Sequence, residues 1–279
     1  MTAGIHLDLD SAWPAADLPM PTVDARDWGP RLRYCAPART VESFFDRFHA
    51  QLADFVLYGS GDFHYLAALQ LRRIREPVTV VSFDNHPDWD VRPPRWGCGG
   101  WVNRALELQW VERVCVWGCG NFELAWPSRL FANHRALKSG RLDVHAWAER
   151  QQPPTQRRFD CMSRENWRGR FARWAEPLTG KAAYITIDLD CLSQDQVVTN
   201  WESGLFTVDD LVWALDHLRG HARIAGGDMC GAWSAPVYSR WTQRFAANWD
   251  HTQPTSVDLA VARHTNHIAL SRLWPKLTG

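Results

Sequence analysis

The sequence predicts an α/β fold: one domain over residues 1–279, with a doubly wound, mostly parallel sheet and helices on both faces. Three observations predict it. Short apolar, β-branched runs recur along the chain. Each is followed by a turn, and each turn by a longer mixed segment. Strand, turn and helix therefore alternate at roughly 30 to 40 residues, the rhythm of a parallel sheet with crossover helices.

Taken in order, the expected strands are Phe55–Tyr58, Pro77–Phe83, Val114–Trp117, Ala182–Ile187, Ala222–Ala225 and Val257–Val261. Near-continuous apolar runs of this length suit strands buried on both faces. Thr40–Leu52 reads as a helix. So does Thr207–Leu218, where Thr207 caps a first turn holding Asp209 and Asp210. Gln151–Arg158 is polar and contains prolines, and is expected to be a surface loop. No internal repeat or low-complexity segment stands out.

Composition narrows the function classes. Lys plus Arg and Asp plus Glu each number 31, so formal charge is zero. A neutral chain has no global attraction to nucleic acid or to an anionic membrane. The arginines from Arg157 to Arg173 alternate with Trp167, Phe171 and Trp174, and read as a solvated face or partner surface. Seven cysteines without paired spacing suit reduced thiols and a cytoplasmic location, with Cys115 facing a core and Cys119 a loop. No signal peptide is expected, and no run reaches the about 18 apolar residues of a membrane span. Of the 17 tryptophans, Trp89, Trp96 and Trp101 lie in a Gly/Pro-rich stretch and could line a pocket.

The chemistry is written at strand ends. Three expected strands finish in clusters: Gly59-Ser-Gly-Asp62-Phe-His64, Asp84-Asn-His86-Pro-Asp88-Trp-Asp90 and Asp188-Leu-Asp190. Ligands of open α/β sheets bind at the carboxyl ends of strands. Alternate residues of an extended segment face one side, so Asp84, His86 and Asp88 share a small volume. Crowded carboxylates repel unless a cation neutralises them. Asp188 and Asp190 repeat the pattern. Four carboxylates with one or two imidazoles suit two divalent ions, and the oxygen-rich set favours manganese.

These motifs resemble the arginase and agmatinase superfamily, the ureohydrolases. Asp84-Asn-His86-Pro-Asp88 is similar to the family's Asp-Ala-His-x-Asp, and Thr186-Ile-Asp188-Leu-Asp190 to its Ser-x-Asp-x-Asp. Thr199 to Thr207 resembles the segment leading into a helix, and Gly226-Gly-Asp228 a later strand end. Order and spacing match from about Tyr58 to Gly231. The resemblance implies two Mn2+ ions bridged by Asp84 and Asp188. Asp88 and His64 would complete one site, and His86 and Asp190 the other. It further implies attack of metal-acidified water on a guanidinium carbon, with Asp88 orienting the nucleophile and passing a proton to the departing amine.

Four departures from the family pattern bear on substrate. One residue intervenes in Gly61-Asp62-Phe63-His64, so either the loop bulges and His64 still binds or a ligand is lost. The expected guanidinium-pairing Glu falls on Gly231, for which Glu202 or Asp90 would substitute. The expected proton-relaying His falls on Trp101. The rim from Val91 to Trp101 offers Arg92, Arg95 and two tryptophans where arginases read a free amino acid.

The leading expectation is therefore urea release from arginine within a peptide, or from another atypical guanidine, giving ornithine. Asp88 and Glu202 are the catalytic candidates. Asp90, Trp101, Glu202 and Asp228 are the candidates for contact with substrate. A deacetylase-like amide hydrolase using one zinc and a non-catalytic metal-binding member remain open alternatives. No nucleic-acid or membrane partner is expected, and a homo-oligomer is compatible with the sequence. His264 with His267, Gly118–Asn121, and Asp8 with Asp10 are read as structural.

Overall fold

A computed structural model describes residues 4–250 and 257–279. Eight strands form one sheet: β1 (Gly4–Asp8), β2 (Thr22–Asp24), β3 (Phe55–Leu57), β4 (Val78–Phe83), β5 (Val111–Cys119), β6 (Leu142–Ala146), β7 (Ala182–Asp188) and β8 (Arg223–Cys230). Their order is β2-β1-β3-β8-β7-β4-β5-β6. Every pairing between them is parallel. This is the α/β class expected from the sequence.

The central strands β4 and β7 are buried along their whole length. Their alternating side chains build two cores. Val78 and Val80 of β4 face one core, with Phe44, Phe48, Val102 and Ala105. Val81 and Phe83 face the other, with Phe171, Leu211, Leu215 and Leu273. Helices thus cover both faces, and the carboxyl ends of β3, β8, β7 and β4 lie side by side. That placement brings the three motif-bearing strand ends together.

The Val208–His221 helix carries the expected cap as a full capping box. Thr207 accepts from the Asp210 backbone amide, and Asp210 accepts from that of Thr207.

Several expected elements are corrected. The supposed strand at Val257–Val261 is the entry to the Leu259–Thr278 helix, capped by the Asp258 side chain on Ala260 and Val261. A short apolar run cannot by itself separate strand from helix. Gln151–Arg158 is not all loop: Pro153–Phe159 is helical, with proline at its first turn, where the missing amide costs nothing. Helix Thr40–Leu52 instead spans Ala38–Phe48, starting after the extended Pro37. Cys119 lies inside β5 and is buried.

Three strands, β1, β2 and β6, fall outside the expected set, and two of them are the sheet edges. β6 alternates buried and half-buried residues as Leu-Asp-Val-His-Ala, and β2 has only three residues. No helix among the described residues is long and apolar enough to cross a membrane.

Thr207→Ala is expected to cost about 1 kcal/mol by removing this helix cap. A urea titration checks it: the midpoint falls while the slope stays that of the parent chain.

Candidate metal centre

The sheet delivers the three motifs to one buried point. Asp84 follows β4 directly, its amide donating to the Trp117 carbonyl at 3.0 Å. The chain then turns tightly. The His86 amide donates to Asp84 Oδ1 at 2.7 Å, and the Asn85 amide to Asp190 Oδ1 at 3.1 Å. Asp88 takes a left-handed conformation, φ +46°, which is uncommon for any residue but glycine. On β7, the Asp190 amide donates to Asp188 Oδ1 at 3.1 Å.

Among the described residues three groups could hold a metal ion: His64 with Asp84 and Asp88, His86 with Asp84 and Asp190, and His64 with Asp188 and Cys230; the first two share Asp84. His64 Nδ1 lies 3.1 Å from Asp84 Oδ2, 3.3 Å from Asp88 Oδ2 and 3.6 Å from Asp188 Oδ2. His86 Nδ1 lies 2.8 Å from Asp190 Oδ2 and 3.5 Å from Asp84 Oδ1. The one-residue insertion before His64 is absorbed by a 3₁₀ segment, Gly61–Leu66, which turns the imidazole into the cluster. Gly61 makes room there, since a Cβ on it would meet Asp188 Oδ2 at 2.6 Å.

Support for the cluster comes from behind. His64 Nε2 pairs with Thr186 Oγ1 at 2.8 Å, and Thr186 donates to Asp228 Oδ1 at 2.7 Å. Tyr184 donates to the other Asp228 oxygen. The chain of bonds fixes Nε2 as the protonated nitrogen and turns Nδ1 toward the carboxylates. Below the loop, the buried Arg33 pairs with Asp62 Oδ2 at 2.6 Å and with Asp10 Oδ2 at 3.6 Å. Asp10 thereby anchors the His64 loop.

Two substrate-contact expectations are corrected. Asp228 is fully buried behind His64, and Trp101 is fully buried within the core. Neither lines the cleft. Trp101 instead donates from Nε1 to Asp88 Oδ2 at 2.5 Å and packs its ring 4.8 Å from that of His64. It holds the carboxylate rather than relaying protons.

Asp90 and Glu202 do line the cleft. Asp90 is committed to Arg92, with Arg92 Nη2 at 2.5 Å from Oδ2. Glu202 Oε1 lies 3.3 Å from His86 Nε2. Arg95 lies outside the cleft lining, paired with Glu107 at 2.7 Å. Trp89 lines the cleft, whereas Trp96 packs near Tyr65.

Gly231 has a structural cause. Its φ is +105°, and a Cβ there would stand 2.3 Å from Asp188 Oδ1. No side chain fits, so a glutamate at this position is sterically excluded.

Three residues near the centre carried no sequence signal. Cys230 donates from its thiol to Asp188 Oδ2 at 3.3 Å. Glu123 lines the cleft with a buried Oε2 that has no hydrogen-bond partner. Tyr34 joins the same lining. They come from different parts of the chain, and only the fold assembles them.

With this geometry in place, comparison with known proteins is informative. No protein-family model matches the chain. A Thermotoga maritima protein described as uncharacterised is 28% identical over 174 residues, covering 62% of this chain and 55% of its own length. The chain therefore spans about half the length of that curated relative. A putative agmatinase from Clostridium difficile superposes with a TM-score of 0.57 at 12% identity, covering 99% of this chain and 96% of that one. Formimidoylglutamase from Bacillus subtilis gives 0.54 at 15%, covering 96% and 87%. A T. brucei arginase-like protein, a triple mutant bound with Mn2+, gives 0.52 at 12%, covering 98% and 90%.

The chain has the arginase-like fold.

Within this arginase-like sheet the electrostatics are those of a cation site. Burial and the neighbouring Asp190 and Asp84 charges push the Asp188 carboxyl up to about 8. Burial and Asp84 push Asp88 up to about 7. Burial, with Asp84 again, brings Asp190 to about 7. Asp84 is held below the usual range despite burial, because His64 and His86 face it. His64 Nδ1 and Asp84 Oδ2 are buried without a hydrogen-bond partner. Orphaned buried ligand atoms facing one another are what a metal would satisfy, so the residues fit two divalent ions.

Raised carboxyls mean that the folded chain holds protons which the unfolded chain releases near pH 4. In the metal-free chain this contribution to stability is present at acid pH and lost as pH rises through about 7 to 8. Added Mn2+ competes with those protons. Thermal unfolding with and without Mn2+ is expected to show a lower midpoint for the metal-free chain at pH 8.5 than at pH 6. The gain from Mn2+ should be larger at pH 8.5, whereas an equal gain at both pH values would count against a carboxylate-borne metal site.

Proposed function

We propose that the chain is a binuclear manganese hydrolase that cleaves a guanidine C–N bond, releasing urea from an arginine held within a peptide and leaving ornithine. The observation that carries this reading is the pair of ligand groups sharing Asp84, with orphaned ligand atoms inside. A single-zinc deacetylase-like site would leave one of the two groups without a role. The fold shared with proteins named agmatinase and formimidoylglutamase supports the same chemistry.

In this reading His64, Asp84, Asp88 and Asp188 would hold one ion, and Asp84, His86, Asp188 and Asp190 would hold the other. Bound there, the ions would acidify a water and so supply a nucleophile near neutral pH. Glu202 pairs with the guanidinium from the cleft wall, replacing the side chain that Gly231 cannot carry. The Trp101 indole N–H fixes Asp88 through Oδ2, so its carboxylate can take the proton of the attacking water. Water adds to the guanidinium carbon, and the C–N bond to the side chain breaks. The amine leaves with the proton carried by Asp88, giving urea and ornithine.

The peptide assignment rests on the rim. Free arginine presents an ammonium and a carboxylate, each costly to bury unpaired. Arg92 and Asp90 neutralise each other, and Arg95 is engaged elsewhere. A peptide presents neutral amides at those points. The cleft, about 460 Å³, is large enough for more than an amino acid.

Asp84→Ala and Asp188→Ala are each expected to abolish metal binding and urea release, read by metal analysis and a urea assay. Glu202→Gln should lower kcat/KM by at least about ten-fold, the loss of a charged hydrogen bond, while the metal content stays that of the parent. The substrate test compares kcat/KM for free L-arginine with that for an arginine peptide blocked at both ends. The blocked peptide should be the better substrate; equal values or a preference for free arginine would reject the peptide assignment.

A further inference from the structure

The mouth of the cleft is unusually apolar for a site with an acidic floor. The segment after β5 exposes Phe122 at 63% and, beyond the lining, Trp126 at 73%. Phe122 and the neighbouring Phe131 line the cleft. The Trp241–Asp250 helix exposes Phe245 at 66% and Trp249 at 83%, and Trp249 is also part of the lining. Large exposed aromatic side chains are costly to leave in water, and a cluster of them around a site marks a contact surface. The same lining holds Asp88, Asp90, Glu123, Glu202 and Asp250. Arg92 is the one Lys or Arg in the lining among the described residues, and it is spent on Asp90 and on the Phe131 ring, 3.9 Å away.

We infer that this mouth docks an extended polypeptide segment whose apolar side chains flank the cationic residue entering the cleft. The inference deepens the proposed function and rests on it for the identity of that cationic residue as arginine. Charge complementarity selects the occupant. The acidic floor accepts a cationic side chain and repels anionic lipid headgroups. Two separate segments supply aromatics to one cleft, so a cationic residue inside it with apolar neighbours before and after can engage both. Tyr, Trp and Phe at such positions supply large contact area with little side-chain entropy to lose, which suits them to anchor flanking residues.

Binding can be read without turnover. The probes are two lysine peptides blocked at both ends, acetyl-Leu-Phe-Lys-Leu-Phe-amide and acetyl-Gly-Gly-Lys-Gly-Gly-amide, titrated calorimetrically into the Mn2+-loaded chain. Lysine keeps the cation but has no guanidine bond to cleave. The apolar-flanked peptide is expected to bind at least ten-fold more tightly. Phe122→Ala and Trp249→Ala should each shrink that preference to about three-fold or less. Trp241→Ala, on the same helix but outside the cleft lining, should keep it. Equal affinity of the two peptides, or a preference untouched by both cleft-side variants, overturns the inference. Light scattering that shows a dimer dispersed by Trp249→Ala also overturns it, because the aromatic surface would then be a subunit interface. A preserved preference with no urea from any arginine peptide would leave docking standing and reject guanidine hydrolysis.

Discussion

Four carboxylates, Asp84, Asp88, Asp188 and Asp190, are brought into one buried volume with only two imidazoles between them, and the rest of the structure follows from that crowding. Like charges at this spacing cannot all stay ionised in a poorly solvated site without cations. The chain meets the constraint by assembling the carboxylates from separate strand ends. Asp84, Asp188 and Asp190 are then fixed by backbone amides and Asp88 by the Trp101 indole, so the arrangement is held by the surrounding fold. The neighbouring charges that raise Asp88, Asp188 and Asp190 are the same ones a pair of divalent ions would neutralise.

A second layer keeps the ligand atoms aimed. Asp228 and Thr186 stand behind His64, Trp101 stands on Asp88, and the Arg33–Asp62 pair braces the loop between. A buried ion pair of this kind adds little to net stability, and losing either partner is costly. Its role is placement. The tight approach of residue 231 to Asp188 belongs to the same logic, because the backbone has been drawn in until only glycine fits. In the proposed function, residue 231 therefore cannot supply the guanidinium partner, and Glu202 on the cleft wall takes that part.

Much of this was legible in the sequence. The strand ends bearing Asp84, His86, Asp88, Asp188 and Asp190 could be read because buried parallel strands leave continuous apolar runs, and because acids directly after them have few other uses. The His64 offset could be noticed in sequence, but only the 3₁₀ turn shows how it is absorbed. Trp101 and Asp228 were misread as substrate contacts, since spacing along the chain reports proximity to the site and not which way a side chain faces. Glu123, Cys230 and Trp249 left no signal, as each reaches the site from a segment with no motif of its own. Strands β2 and β6 were missed because edge positions tolerate short or alternating sequences.

Metal and substrate assignments both depend on whether the carboxylate cluster holds two ions with Asp84 between them. The most direct measurement is the metal content of the purified chain after equilibration with Mn2+ and removal of free ion. About two Mn2+ per chain is the predicted result, as required by two ligand groups sharing one carboxylate. One tightly held zinc per chain, with no uptake of Mn2+, would contradict the account and return the site to a mononuclear hydrolase.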